Sequence, residues 1–400
     1  MTARAPVSKF RRLSITHAAM MGGDAAMIVA LADSLFFNID PSAARGRVLL
    51  FLVVSFAPFL VIAPLIGPVI DRVAGGRRAV IQAVAASRVV ISLLMAMAID
   101  NLTLFPLVFA ALVLQKTYLV SKQALVPSVV RSERDLVEAN SKLGLIAGLT
   151  GFVAVIPAAT LQLISDEGVA TLIYAAALFG FAFGSATRLP ADVVAAKPAE
   201  AAERIQLHSL GLQLAEMAML LMRAAVGFLF FLLAFWLRTQ TAGTAWFAVA
   251  VGLSALGTMI GNAIGPRLRR VLSEETMLLG ARGLSGAAGF LAALLGGVPA
   301  GVALACIVNL SAAVGRLAFE SLVQRDAPQA NRGRAFARFE ARFQLGWVVA
   351  GLIPVLITIP GPIGFLIVGV LCAAAFLNYA SGTRWTGLRR WRQSVSIRRR

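Results

Sequence analysis

Ile66-Gly67-Pro68-Val69-Ile70-Asp71-Arg72-Val73 closes one apolar run, and Ile264-Gly265-Pro266-Arg267-Leu268-Arg269-Arg270-Val271 closes another. Five of the eight positions are identical, and the two copies stand 198 residues apart in a chain of 400. Ile-Gly-Pro alone is commonplace. Its return at the same helix-to-loop junction, half a chain later, is the mark of a duplicated membrane unit.

The composition agrees. Hydrophobic residues make up 59% of the chain and charged residues 14%, whereas a soluble chain of this length carries far more charge. Apolar stretches near 20 residues, long enough to cross a bilayer as helix, recur from end to end. The fold class is therefore an all-α polytopic membrane protein, with twelve transmembrane helices predicted at about 17–38, 48–70, 79–99, 102–121, 143–164, 169–189, 217–238, 245–265, 276–296, 298–318, 342–360 and 363–382. These form two pseudo-symmetric six-helix bundles, 1–189 and 217–382. A cytoplasmic linker over 190–216 joins them, and an Arg-rich cytoplasmic tail follows over 383–400. Within the linker, Ile205–Leu214 suits an amphipathic helix lying on the inner surface.

A net charge of +18 raises the question of nucleic acid, and its distribution answers it. With both termini in the cytoplasm, the outward loops hold only Arg45, Arg47 and Arg238. The inward segments hold Arg72, Arg77, Arg78, Arg131 and Arg134, and later Arg267, Arg269, Arg270, Arg325, Arg332, Arg334 and Arg338. That is the positive-inside bias of a multi-pass protein of the plasma (inner) membrane, and the opposite orientation inverts it. The tail arginines then meet anionic lipid rather than nucleic acid. No small-residue cleavage site follows the basic N-terminus, so the first apolar run reads as a retained helix. Cys306 and Cys372 lie inside apolar spans and read as buried thiols, not as a disulfide.

Between the second and third spans, Gly67-Pro68-Val69-Ile70-Asp71-Arg72-Val73-Ala74-Gly75-Gly76-Arg77-Arg78 resembles the loop signature G-x-x-x-D-R-x-G-R-R of the major facilitator superfamily, with two extra residues before the Arg pair. A second stretch, Lys122-Gln123-Ala124-Leu125-Val126-Pro127 followed by Leu136-Val137-Glu138-Ala139-Asn140-Ser141, is similar to the drug- and metabolite-exporting and lysophospholipid-transporting branches of that superfamily. The resemblance implies a secondary transporter working by alternating access. It also implies a cavity lined by spans 1, 4, 7 and 10, and a cytoplasmic gate involving Gly67, Asp71, Arg72, Arg77 and Arg78. The second copy carries Arg269 where the first has Asp71, so the latch is expected to be asymmetric.

An ionised side chain near the bilayer centre costs about 2.5–3.5 kcal/mol on insertion scales, so each one calls for a role. Asp24 and Asp33 lie nine residues apart in the first span, on opposite faces at about 100° per residue. Asp24 is either a protonatable coupling site or the structural partner of a cation, roles that overlap because a proton can replace the cation. Asp33 reads as a structural or mouth residue. Arg88 sits mid-span in helix three, where a buried ion pair is expected with Asp24 one candidate partner, and Arg282 takes a similar place in helix nine. Lys116 in span four either faces the cavity or snorkels to the inner surface. Asn309, Arg316 and Glu320 follow one another down one face of span ten; Asn309 is assigned to the cavity, Arg316 and Glu320 to the gate. His17 and His208 fall near the membrane boundary and read as solvated.

The chain lacks a G-x-x-x-x-G-K-[ST] sequence, a His-Glu-x-x-His sequence and a Cys/His metal cluster, so no enzymatic activity, ATP drive, cofactor or metal is expected. The expected function is proton-coupled export of an amphipathic small molecule, with sodium the other candidate coupling ion. A lipid or lysophospholipid flippase is the alternative within transport, and a non-transporting membrane scaffold or assembly factor the alternative outside it. Expected partners are the small-molecule or lipid substrate, the coupling ion and membrane lipids.

Overall fold

The computed structural model describes residues 8–32, 76–99, 103–130, 132, 135–164, 168–190, 210–326 and 332–397. Eleven α-helices account for nearly all of them: α1 Lys9–Ala32, α2 Gly76–Met97, α3 Leu104–Val129, α4 Leu136–Ile164, α5 Val169–Ala186, α6 Leu210–Trp236, α7 Gly243–Val271, α8 Glu274–Leu295, α9 Gly297–Asp326, α10 Arg332–Leu356 and α11 Gly361–Ile397. They coincide with eleven of the twelve predicted spans. The span at 48–70 lies outside the described residues, as do Asp33, Gly67, Asp71, Arg72 and His208. Ten of the eleven are long and apolar enough to cross a membrane; α3, at 26 residues, carries Lys116 and Lys122 in its second half. The chain is an integral, multi-pass membrane protein.

Several helices outrun the apolar windows that predict them. α3 continues to Val129, α7 to Val271 and α9 to Asp326. Hydropathy falls where these helices turn polar, but on α3 and α9 polar residues stay inside. Ser121, Lys122 and Gln123 are buried on α3, and Glu320, Ser321 and Gln324 on α9. The backbone hydrogen-bond ladder has no reason to stop there. α11 likewise runs on through the Arg-rich segment to Ile397.

The chain divides into two compact units, Met1–Pro198 with Gln329–Ala341, and Ala199–Pro328 with Arg342–Arg400. The same pattern of neighbours recurs in each. In the first unit α1 packs on α4 and α5, and α2 packs on α5 and α3. In the second, α6 packs on α11, and α8 packs on α11 and α9. α6 also meets α10, where the Leu220 and Phe231 side chains lie against Gly346 and Gly351. Recurrence of the internal packing is what duplication of a helical unit produces.

α2 shows how the membrane sorts its residues. Arg88, Ser92 and Met95 are buried, while Val90, Leu93, Leu94 and Met97 are exposed. From Arg88 to Met97 the exposed side chains are all apolar and the polar ones, Arg88 and Ser92, are buried, the reverse of a soluble amphipathic helix.

Candidate functional site

The interior of the first unit is built around Arg88. Its side chain is 2% exposed and forms an ion pair with Asp24 of α1, itself buried. Nη2 lies 3.7 Å from the Met27 sulfur one turn along α1, and the guanidinium stands 4.2 Å from the centre of the Phe179 ring on α5. Gly23 makes this possible, because a Cβ there would lie 2.5 Å from that ring. The helix therefore brings a carboxylate and an aromatic face to one cation only because its neighbour lacks a side chain. Ser92 donates to the Arg88 carbonyl at 2.8 Å and so spends its hydroxyl within α2.

The pair is electrostatic rather than well hydrogen-bonded. Neither carboxylate oxygen of Asp24, nor Nε or Nη1 of Arg88, has a well-aligned hydrogen bond among the described residues. Removing one partner from such a pair is costly, about 3–5 kcal/mol, because it leaves the other charge buried. A proton on Asp24 does the same work chemically, since it neutralises the acid and frees the guanidinium.

His17, two turns before Asp24 on the same face of α1, is not solvated as its boundary position suggests. It is 2% exposed and its Nδ1 lies 2.9 Å from the hydroxyl of the fully buried Tyr118 on α3, with the rings stacked at 5.8 Å. Apolar windows place a lone His near the boundary, whereas the partner that draws it inside lies 101 residues away. Lys116, two residues before Tyr118 on α3, is half-buried. At one end of the unit Arg78 donates to the Leu189 carbonyl at 3.4 Å and Arg12 to the Arg188 carbonyl at 3.0 Å. Cations on carbonyls just past the end of α5 complement its negative pole. Arg77 is partly exposed beside them in α2.

In the second unit the polar stripe of α9 separates into two kinds of site. Asn309 Nδ2 donates to the Ala305 carbonyl of its own helix at 2.9 Å. Arg316 Nε donates to Glu320 Oε1 at 2.7 Å; the arginine is half-exposed and the glutamate buried. Below them the repeated signature finds its acid. Arg269 Nε donates to Glu274 Oε1 at 2.9 Å, Ser321 Oγ donates to the same oxygen at 3.2 Å, and Arg325 lies 3.6 Å from Oε2. Arg325 also reaches Glu275 at 3.5 Å. Where the first copy has an acid at Asp71, the second has Arg269 and draws its acid from the first turn of α8. The run Ser273-Glu274-Glu275-Thr276 carries the sequence signal for this. Ser273 caps the helix by accepting from Thr276 N at 3.2 Å, and acids favour the positive end that follows.

The second unit also buries an arginine, Arg282 of α8, 1% exposed. Its Nε donates to the Ala218 carbonyl of α6 at 3.3 Å, its Nη1 to the Leu278 carbonyl, and the guanidinium stands 5.3 Å from the Tyr379 ring. Cys372 is buried on the same helix as Tyr379, and Cys306 is half-buried; both are free thiols.

No protein-family model matches the chain. An uncharacterised protein of Mycobacterium leprae is 28% identical over 87% of this chain and 67% of its own length. An uncharacterised protein of Mycobacterium tuberculosis is 38% identical, over 33% of this chain and a quarter of its own length. Among solved structures, a bacterial homologue of the iron transporter ferroportin in its outward-facing state aligns with a TM-score of 0.72 and 20% identity, covering 95% of this chain and all of that one. The human organic anion transporter MFSD10 aligns with a TM-score of 0.67 at 16% identity, over 92% of this chain and 99% of that one. The major facilitator superfamily transporter FucP, in its outward conformation, gives 0.67 at 14% identity, over 93% and 98%. The chain has the major facilitator fold.

Proposed function

We propose that this protein is a secondary active transporter that works by alternating access, exchanging protons at Asp24 for the outward movement of an amphipathic small molecule. The observation that carries the proposal is the Asp24–Arg88 pair. It puts a carboxylate inside an apolar bundle, on the first helix of its unit, with Arg88 as its counter-charge and, among the described residues, no well-aligned hydrogen bond. A proton and Arg88 compete for that carboxylate, so its charge state and the packing of α1 against α2 and α5 are coupled. The fold supplies the setting, since the solved structures that share it are named as transporters.

The substrate class follows from charge. The helices that line the cavity by resemblance, α1, α3, α6 and α9, carry eight lysines and arginines, Lys116, Lys122 and Arg316 among them, against four acids, which suits an anionic or zwitterionic amphiphile. A divalent cation suits the site less well, because Asp24 faces a guanidinium. Both termini and the arginine-rich segments lie on the cytoplasmic side of the plasma membrane in this proposal, with the Arg269–Glu274 and Arg316–Glu320 pairs and the signature residues Arg77 and Arg78 at the inner gate.

Thermal unfolding of the detergent-purified protein tests it. The panel holds a lysophospholipid, a cationic amphipathic drug and an anionic amphiphile, each at pH 5.5 and 7.5. A ligand at about 100 times its dissociation constant stabilises by about 2.7 kcal/mol. One class raises the midpoint, by an amount that depends on pH, and Asp24→Asn removes the pH dependence. A midpoint indifferent to every class, or a pH dependence that survives Asp24→Asn, contradicts the proposal. A response confined to the lysophospholipid turns the assignment toward lipid flipping.

A further inference from the structure

Over 218–237 of α6 every side chain is buried or half-buried except Phe230, which is 41% exposed. Other helices expose apolar side chains in every turn, as lipid contact requires. On α2 these are Val90, Leu93, Leu94 and Met97, and on α4 Leu149, Phe152, Val153 and Ile156. α6 instead meets α7, α8, α9, α10 and α11, and its one uncovered ring is a window rather than a lipid face. That ring is held in place. It stands edge-on to Phe231 at 5.1 Å and to Phe247 of α7 at 5.7 Å, and tilted against Trp347 of α10 at 6.4 Å. Glycines fix its neighbours: a Cβ at Gly351 would lie 2.6 Å from the Phe231 ring, and one at Gly227 would overlap the Trp347 carbonyl. The strip continues to a cation. Glu216, Arg223 and Phe230 recur every seven residues and so share a face of α6. Glu216 is ion-paired with Arg342 of α10. Half-buried Arg223 stands two turns from Phe230, about 10 Å along the axis.

We propose that Phe230, Phe247, Trp347 and Arg223 form a substrate subsite in the second unit, for an amphipathic anion with a planar aromatic ring about 10 Å from its acid. The subsite rests on the transport function proposed above and narrows its substrate to ring-bearing acids. The ring of the ligand packs edge-to-face or offset on Phe230, a contact that an alkyl chain cannot make. Its acid meets the Arg223 guanidinium two turns along the helix in a charge-assisted bond. A ring-bearing cation is disfavoured. Aromatic faces attract cations, but Arg223 repels one, and the acid on the same strip, Glu216, is held by Arg342. The assignment is independent of transport direction and of proton coupling at Asp24.

The test is thermal unfolding of the full-length protein in lipid nanodiscs with pyrenebutyrate, laurate or pyrenebutylamine. Laurate keeps the acid without the ring, and the amine keeps the ring without the acid. Pyrenebutyrate raises the midpoint above either by about 2 °C or more. Phe230→Leu, which keeps an apolar side chain, brings pyrenebutyrate down to laurate, and Arg223→Gln brings it down to the amine. Phe181→Ala, at an exposed ring of α5, changes neither preference. Should Arg223→Gln fail to accumulate, photolabelling of the wild type with benzoylphenylbutyrate decides, with adducts on Phe230, Phe247 or Trp347. Equal shifts from pyrenebutyrate and laurate, a ring preference that survives Phe230→Leu, an acid preference that survives Arg223→Gln, or adducts confined to other helices overturn the subsite. So does the absence of a shift from all three ligands. None of these results touches the pH dependence at Asp24, on which the transport function is judged separately.

Discussion

Among the described residues each unit buries one arginine, Arg88 between α1, α2 and α5 and Arg282 between α6, α8 and α11, and the two are neutralised differently. Arg88 meets a carboxylate on α1 and the face of Phe179 on α5. Arg282 meets the backbone carbonyls of Ala218 on α6 and Leu278 on its own helix, and the face of Tyr379 on α11. Duplication therefore preserved the cation and its aromatic ceiling but not the acid. A carboxylate is the group that the proposed proton coupling uses, and of these two sites only the first has one among the described residues. The second unit keeps the same packing around a cation without that carboxylate, so the proposed coupling falls to the first.

The largest effect expected from this difference is at Asp24. Asp24→Ala strands Arg88 in the interior and lowers stability by about 3–5 kcal/mol; thermal unfolding and abundance in membranes report it. Adding Arg88→Met to Asp24→Ala recovers most of the loss. If the double variant is no better than the single one, the carboxylate is not held for the arginine.

The second comparison is steric. In the second unit α8 crosses α11 backbone against backbone, and a Cβ added at Gly289 would lie 2.5 Å from the Gly369 nitrogen. At the corresponding crossing of α2 and α5, a Cβ at Gly180 meets only a methyl of Val89 at 4.0 Å. Gly289→Ala should therefore destabilise by about 1–3 kcal/mol, and Gly180→Ala should be neutral or slightly stabilising. Equal costs would mean that the two crossings are not packed differently.

Next in size is Arg282→Met. It removes a buried charge with no carboxylate in ion-pair distance among the described residues, and it should raise stability by about 1 kcal/mol, whereas Arg88→Met alone lowers it. Similar in size is Ser273→Ala, which removes the cap of α8 and slackens the first-turn acids that hold Arg269 and Arg325; about 1 kcal/mol is expected. The exposed Glu138–Lys142 pair on α4 sets the lower bound. Lys142→Ala should change stability by less than about 0.5 kcal/mol.

The membrane class and the order of helices are legible in the sequence because both depend on local apolarity. Eleven helices fall where apolar runs near 20 residues lie. Asp24, Arg88 and Arg282 are legible as charges inside such runs, but not the difference in their partners, since Ala218 contributes a carbonyl that every residue has. Helix ends are less legible. Hydropathy cannot separate a polar loop from a helix whose polar face is buried, so α3 and α9 extend beyond their windows. His17 shows the same limit: its burial depends on Tyr118, a residue on another helix. Glu274 is visible as a capping-type acid, and its pairing with Arg269 follows from the short turn between α7 and α8. Asp33, Gly67, Asp71 and Arg72 lie outside the described residues, so their gate and mouth roles stand as proposals.

Flux through proteoliposomes tests the central assignment most directly. The substrate is whichever amphiphile stabilises the purified protein, measured with and without an imposed pH gradient, in wild type and in Asp24→Asn. Wild type should accumulate substrate against its gradient when protons flow the other way. Asp24→Asn should still exchange labelled for unlabelled substrate at equilibrium but lose gradient-driven accumulation. Accumulation by Asp24→Asn equal to wild type would contradict proton coupling at this carboxylate, and absence of any flux in wild type would contradict transport itself.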